Sequence, residues 1–477
     1  MPDTRCRIKR IIYLASGIWH PILMKPIRYL ILIFLFASFF SCKRNGDKIT
    51  TDPQAKLRFS TSEITFDTIF TSVGSVTQRL WVYNENKHAV MISTIELARL
   101  YTSSYKILID GEEQVMVNNY ELKGKDSMMV LVKVLIDPQN HSLPYLVDDS
   151  IVFITNGNVQ DVDLQAYGQD AFFLNNTTVA CNTIWTNTKP YVLSGNITVP
   201  AGCTLTIDKG TRVRFHKNAT LTVAGTLITQ GLKDSIITFR HDNLSGLYDD
   251  LPGQWGGVIF LTGSKNNQFV YTEIKNAING LTLQAEPDAD TIAEVMLANC
   301  TVKNCSGNAI TATSTDFYAV NSLIGNSAGY LFKNKSGGNY YFDFCTFENY
   351  SQDFFRNAVS LRFSNYDDTS GAQDLNTIFR NTIVWGDKSE EFETNDNNTN
   401  VFNLIAHYSL LASSSAAITG TNTIFNTDPQ FDDPYSDKFM LNASSPAVNS
   451  GMVISSITID LKGNARDAMP DRGCYER

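Results

Sequence analysis

The chain is predicted to be all-β, a parallel β-helix with three strands per coil preceded by an Ig-like β-sandwich. Three observations predict it. A phrase (small residue, any, apolar, any, Asn) recurs as Thr272–Asn276, Cys300–Asn304, Ser322–Asn326 and Cys345–Asn349, with degraded copies at Thr382–Gly386 and Ser409–Leu411. Its small residues lie 28, 22, 23, 37 and 27 positions apart, one returning strand per coil. Upstream, the apolar pairs Ile197/Val199, Leu205/Ile207, Val213/Phe215 and Leu221/Val223 step evenly by eight, so that three steps of 24 residues return Ile197 onto Leu221. Before that, short alternating strands with Gly- and Asn-marked turns run from Leu57 to about Gln169 without a helical period.

The elements follow in chain order. Residues 29–40 are an apolar run preceded by Lys25 and Arg28 and followed by Ser41-Cys42. The run is too short to span a bilayer. It resembles a bacterial lipoprotein signal with lipobox Phe39-Phe40-Ser41-Cys42, which implies a signal peptide over 1–41, with Met24 as an alternative start, and a lipid anchor on Cys42. An uncut signal anchor is the alternative. Lys43 stands where an inner-membrane retention signal shows Asp, so the resemblance implies an outer-membrane lipoprotein, its leaflet open. Residues 42–55 are polar and aperiodic, a tether. The sandwich is placed at 56–170, where about seven strands and the turns Asp110-Gly111, Lys123-Gly124 and Asn156-Gly157 suggest the Ig-like type. The β-helix is placed at 183–425 and its C-terminal segment at 426–477.

The formal net charge is −9. The leader carries six basic residues and one acid, so its removal leaves −14. An acidic body repels phosphate backbones, which excludes nucleic acid as a partner. Cys300 and Cys345 fall in the small-residue column two rungs apart, about 9.6 Å, beyond disulfide reach. They read as small core residues; Cys181 with Cys203 is the pair left open.

From Thr183 onward the chain resembles right-handed parallel β-helix lipoproteins of the Bacteroidetes type. The likeness rests on Gly202-x-x-Leu205-x-Ile207, Gly210-Thr211-x-Val213-x-Phe215 and Gln254-Trp255-Gly256-Gly257-Val258. It continues in Asp428-Pro429-x-Phe431, Ser445-Pro446-Ala447-Val448-Asn449, Asp460-x-x-Gly463-x-x-Arg466 and Asp471-x-Gly473-Cys474-Tyr475-Glu476. The pectate-lyase-like fold this implies hosts lyases, hydrolases, adhesins and scaffolds, so activity does not transfer.

On the outward face of the phrase's strand stack, the columns are Tyr271, Asn299, Asn321, Phe344, Asn381, Tyr408; then Glu273, Thr301, Leu323, Thr346, Ile383, Leu410; then Lys275, Lys303, Gly325, Glu348, Trp385. The aromatics and amides of the first column, with Trp385, suit carbohydrate. They are the candidate glycan face, with ordinary β-helix exterior as the plain alternative. A lyase needs a base and a cation for the enolate, and Glu273, Lys275 and Lys303 are the alternative catalytic set. The plain alternative is two solvated lysines. No cofactor is implied; among the acid-rich loops, which include Asp288/Asp290, the residues Asp432, Asp433 and Asp437 are the best suited to Ca²⁺. Asp67-Thr68-Ile69, Asp149-Ser150-Ile151, Asp234-Ser235-Ile236 and Asp290-Thr291-Ile292 resemble an O-glycosylation sequon of this bacterial group. The expected function is non-catalytic engagement of a polysaccharide or surface protein by a membrane-anchored chain. A polysaccharide lyase or hydrolase and a passive scaffold are the alternatives.

Overall fold

The structure is a computed structural model that describes residues 48–285, 292–350, 355–356 and 358–477. The expected leader (1–41), Cys42 as the expected lipid site, and the acids Asp288 and Asp290 lie outside the described residues.

Residues 49–169 form two sheets. One runs Ile49–Thr50, Ala89–Leu97, Tyr145–Thr155, Asn158–Gln169, Glu63–Phe70, with Met116–Leu122 also on Ala89–Leu97. The other runs Arg58–Phe59, Gln78–Tyr83, Ser127–Val134, Tyr105–Ile109, Glu112–Gln114. Alternation puts Leu80, Val82, Val130 and Val132 of one sheet against Ile95, Phe153, Val162 and Leu164 of the other in a shared core. Two of the three turns read from sequence behave accordingly. Asp110-Gly111 and Asn156-Gly157 have positive φ at both residues, the two-residue hairpin geometry whose twist matches the strands.

The second body is a right-handed parallel β-helix. Each coil crosses three parallel sheets in turn, here called I, II and III, of ten, eleven and eight strands. Sheet II already begins at Phe172–Asn175, which pairs with Tyr191–Ser194, ahead of the change of pattern at Thr183. Ile197 pairs with Leu221 and Val199 with Val223, as the eight-residue step requires. In the later coils Glu273, Thr301, Leu323, Thr346, Ile383 and Leu410 stack rung on rung. So do Lys275, Lys303, Gly325, Glu348 and Trp385. The phrase's apolar residues Ile274, Val302, Ile324, Phe347, Val384 and Leu411 are wholly buried in the coil axis. There aromatics stack between coils, Phe215 on Trp255 at 3.9 Å and Phe342 on Phe379 at 5.0 Å. Gly257 is needed where the third strand of sheet III, Gly257–Phe260, begins: at φ 131° a Cβ would lie 1.8 Å from the Asn279 carbonyl oxygen.

The phrase's two ends are bends. Its small residue is buried inside the corner from sheet I to sheet II. As Ser322, Thr382 and Ser409 its hydroxyl accepts a backbone amide of the preceding coil, whereas the Cys300 and Cys345 thiols donate to that coil's Phe269 and Ala319 carbonyls. The Cys300 amide donates to Ser322 Oγ, the Cys345 amide to Thr382 Oγ1 and the Thr382 amide to Ser409 Oγ. The residue just before it turns the corner alone. Tyr271, Asn299, Asn321, Phe344, Asn381 and Tyr408 all have φ between 44° and 55°. Asn is favoured there because it tolerates the left-handed region, which costs other L-residues about 1–2 kcal/mol. At the other end Asn276, Asn304, Asn326 and Asn349 are buried, and Asn326 Nδ2 donates to Asn304 Oδ1 of the preceding coil at 2.8 Å.

Cys181 and Cys203 form a disulfide, while Cys300, Cys305, Cys345 and Cys474 are buried free thiols.

Candidate functional site

The outward face of sheet II is not open along its length. Residues 428–477, a hairpin (Phe431–Asp433 with Lys438–Leu441) followed by irregular chain, lie across it. Leu323, Ile383 and Leu410 of the sheet are buried with Phe431, Phe439, Leu441, Ala447 and Cys474 of this cover.

This corrects the glycan face. Phe344 and Asn381 are wholly buried and Asn321 nearly so. The amides hold the cover: Asn299 Nδ2 donates to the Asp460 carbonyl (2.7 Å), Asn321 Nδ2 to that of Ile459 (2.8 Å) and Asn381 Nδ2 to that of Met452 (2.8 Å). The Arg466 guanidinium lies 3.8 Å from the Phe344 ring centroid and donates to Asn321 Oδ1. Trp385 packs against the cover, and Tyr408 is half-buried. The Tyr271 end, with Asn299, stays partly exposed on the groove described below.

The acids Asp460, Asp471 and Glu476 of the cover are used within it. Asp460 accepts the amides of Asn464 and Glu476, and Asp471 those of Asn449 and Arg477. Glu476 pairs with Arg466 at 3.1 Å. The Ca²⁺ candidates do not converge. Asp432 is exposed, Asp433 faces Lys438, and the Asp437 carboxylate is taken by Lys303. Among the described residues no three His, Cys, Asp or Glu side chains are grouped to hold an ion.

All three residues of the alternative catalytic set are ion-paired. Glu273 accepts from Arg240 Nε at 2.5 Å, and Lys275 Nζ lies 2.7 Å from Asp250 Oδ1. Lys303 is not solvated as expected but buried between Glu348 (3.1 Å) and Asp437. Burial disfavours its charge, but the two carboxylates raise its pKa overall. Burial pushes Glu348 up to about 7 despite Lys303.

Sequence reading stopped the cationic column at Lys275. Followed back two coils, it continues. Arg214 pairs with Arg240, and the register that sets Phe239 on Ile274 brings Lys275 to the next rung. Burial lowers Arg214 to about 10. Burial is also the largest single influence on Arg240 and works against its charge, but the hydrogen bond it donates to Glu273, with the charges of Glu273, Asp249 and Asp250, together raise its pKa. The signal was the same alternation, visible in Arg212-Val213-Arg214 and Phe239-Arg240.

Where the cover ends against these coils it leaves an open groove of about 500 Å³. Tyr271 and Glu273 line it from the sheet, Lys233 and Asp234 from the preceding coil, and Lys462, Asn464 and Tyr475 from the cover. It offers aromatic rings, an amide and both signs of charge, a set suited to a polyhydroxylated ligand.

No protein-family model matches the chain. Over 165 residues the chain is 31% identical to Protein bark beetle of Drosophila melanogaster, a match covering 30% of this chain and 5% of that protein, so the chain spans a small fraction of that relative's length. Among solved structures, a GH87 α-1,3-glucanase catalytic domain in complex with tetrasaccharides matches over 72% of this chain and 80% of its own, at 9% identity and a TM-score of 0.22. A protein of unknown function from Porphyromonas gingivalis W83 matches over 26% of this chain and 60% of its own (12% identity, TM-score 0.19). A family 123 glycoside hydrolase from Clostridium perfringens matches over 24% of this chain and 25% of its own (7% identity, TM-score 0.16). At these scores the likenesses say nothing of activity, and the β-helix rests on its own strand pairings.

Proposed function

We propose that the chain is a lipid-anchored envelope protein that holds a glycan, without cleaving it, in the groove where the cover ends on sheet II. The observation that carries this is the groove's lining: Tyr271 and Tyr475 supply ring surface, and Lys233, Lys462, Asn464 and Asp234 supply donors and acceptors. The pairing of Glu273 with Arg240 and of Lys275 with Asp250 supports binding over catalysis, because a base or electrophile committed to an ion pair is poorly set to move a proton. Burial of the rest of the face supports a short site in place of a long aromatic track.

A glycan array probed with the full chain tests it. Retention of a glycan, weakened by Tyr475→Ala and by Lys462→Ala, is expected, with no unsaturated or shortened product. Product release would overturn the non-catalytic reading, and no retention of any glycan would favour a scaffold. The anchor is tested separately: labelled palmitate is expected on the chain and lost in Cys42→Ala.

A further inference from the structure

The cations of sheet II form a ladder that the chain's own acids partly occupy. Arg214, Arg240, Lys275 and Lys303 stand on four successive rungs, about 4.8 Å apart, with Arg212 beside Arg214 on the same outward face. Over one side runs the turn 242–253, whose backbone is fixed by two Asn side chains of the recurring phrase. Asn276 Nδ2 donates to the carbonyls of Asp249 (3.0 Å) and Leu251 (2.9 Å), and Asn304 Nδ2 to that of Asp250 (3.2 Å).

So held, the turn presents its acids to the ladder. Asp250 sits on Lys275, and Asp249 Oδ1 lies 3.4 Å from His241 Nε2. The Asp250 side chain is 74% exposed, a position where an ion pair contributes little and exchanges readily. Arg214 makes no ion pair among the described residues; its Nη1 donates to the His241 carbonyl at 3.3 Å. Among the described residues the acids beside Arg214, Arg240 and Lys275 are Glu273, Asp249 and Asp250, while Arg212 Nη2 donates to the Ser142 carbonyl. A ligand displacing the two aspartates would meet a strongly positive strip that adjoins the groove through Glu273.

We propose that this ladder is a charge-reading subsite for a glycan bearing a carboxylate or sulfate on successive sugars, and that the Asp250 carboxylate is a built-in competitor which such a ligand replaces on Lys275. The inference rests on the glycan reading above and adds the ligand's charge and the competition.

Calorimetric titration of the full chain with an oligogalacturonate, a chondroitin sulfate oligosaccharide and a neutral glucan oligosaccharide, each at low and high salt, tests it. The anionic ligands are expected to bind with salt-sensitive affinity, and comparing the two tells carboxylate from sulfate. Arg214→Gln and, independently, Lys275→Gln are each expected to weaken anion binding about tenfold or more, as loss of one partner of a charge pair does. Asp250→Asn is expected to tighten it several-fold. Thermal unfolding of each variant separates lost binding from lost folding. Equal affinity for the neutral glucan would overturn the charge reading and leave the groove reading standing. Unchanged or weaker binding by Asp250→Asn would overturn the competitor role. Tighter binding of a single-stranded oligonucleotide than of either anionic glycan would overturn the ligand class. No binding of any glycan by the wild-type or Asp250→Asn chain would end both readings.

Discussion

Lys303 Nζ lies 3.1 Å from Oε1 of Glu348, two rungs away on the same sheet. The residue between them in the column is Gly325, where a Cβ would stand 1.7 Å from that same oxygen. The missing side chain is what lets the lysine cross a rung. From above, the cover adds Asp437 to the lysine and places the Phe439 ring 4.9 Å from Nζ. The pair therefore joins two coils and the cover at one buried point.

Gly325→Ala is expected to separate the pair and to lower stability by about 3–5 kcal/mol, the usual cost of breaking a buried ion pair. Urea unfolding of the variant checks it; a loss under about 1 kcal/mol would mean that the pair contributes little.

Stability is expected to depend on pH through Glu348. Its folded pKa, about 7, lies above the unfolded value, so the folded state holds the proton more tightly. The contribution is full below the unfolded pKa and is lost as pH rises through about 7. Glu348→Gln should flatten this part of the profile. Urea midpoints measured across that range would sink the assignment if wild type and variant fell in parallel.

The cover and the bend column are expected to fail together. Phe344→Ala should cost about 3–5 kcal/mol as a core cavity, whereas Tyr271→Ala, at the open end, should cost far less. Arg466→Ala removes the contacts to Phe344, Asn321 and Glu476. Limited proteolysis of that variant should cut within 428–477 before anywhere in the coils. Unchanged resistance there would refute the view of Arg466 as the cover's fastening.

Peptide mapping of unreduced, alkylated protein is expected to link Cys181 to Cys203 and to find Cys300, Cys305, Cys345 and Cys474 as thiols modified only after denaturation. Closing a loop of 22 residues should make the first coils about 3 kcal/mol less stable on reduction. Labelling of Cys300 or Cys345 in the native protein would contradict their burial.

The columns were legible in the sequence because alternation and the coil repeat are local. A residue's parity says whether it faces in, and the repeat says what lies on the next rung. Both hold for Ile274, Phe347, Lys303 and Glu348. A further signal was present and unread: Asn before the small residue in three of six coils marks a left-handed bend, which argues for backbone geometry ahead of sugar recognition at Asn299, Asn321 and Asn381.

By itself, the sequence determined which side chains enter the coil axis and which stack along sheet II, since strand pairing at a fixed spacing follows from the period alone. Only the tertiary structure decided that most of that outer face is interior. The covering segment has no period, and its fastenings join residues far apart in the chain, Asn299 to Asp460 and Asn321 to Ile459, through side-chain hydrogen bonds to an irregular backbone. Such contacts depend on where the chain returns in space, and no spacing along it records them.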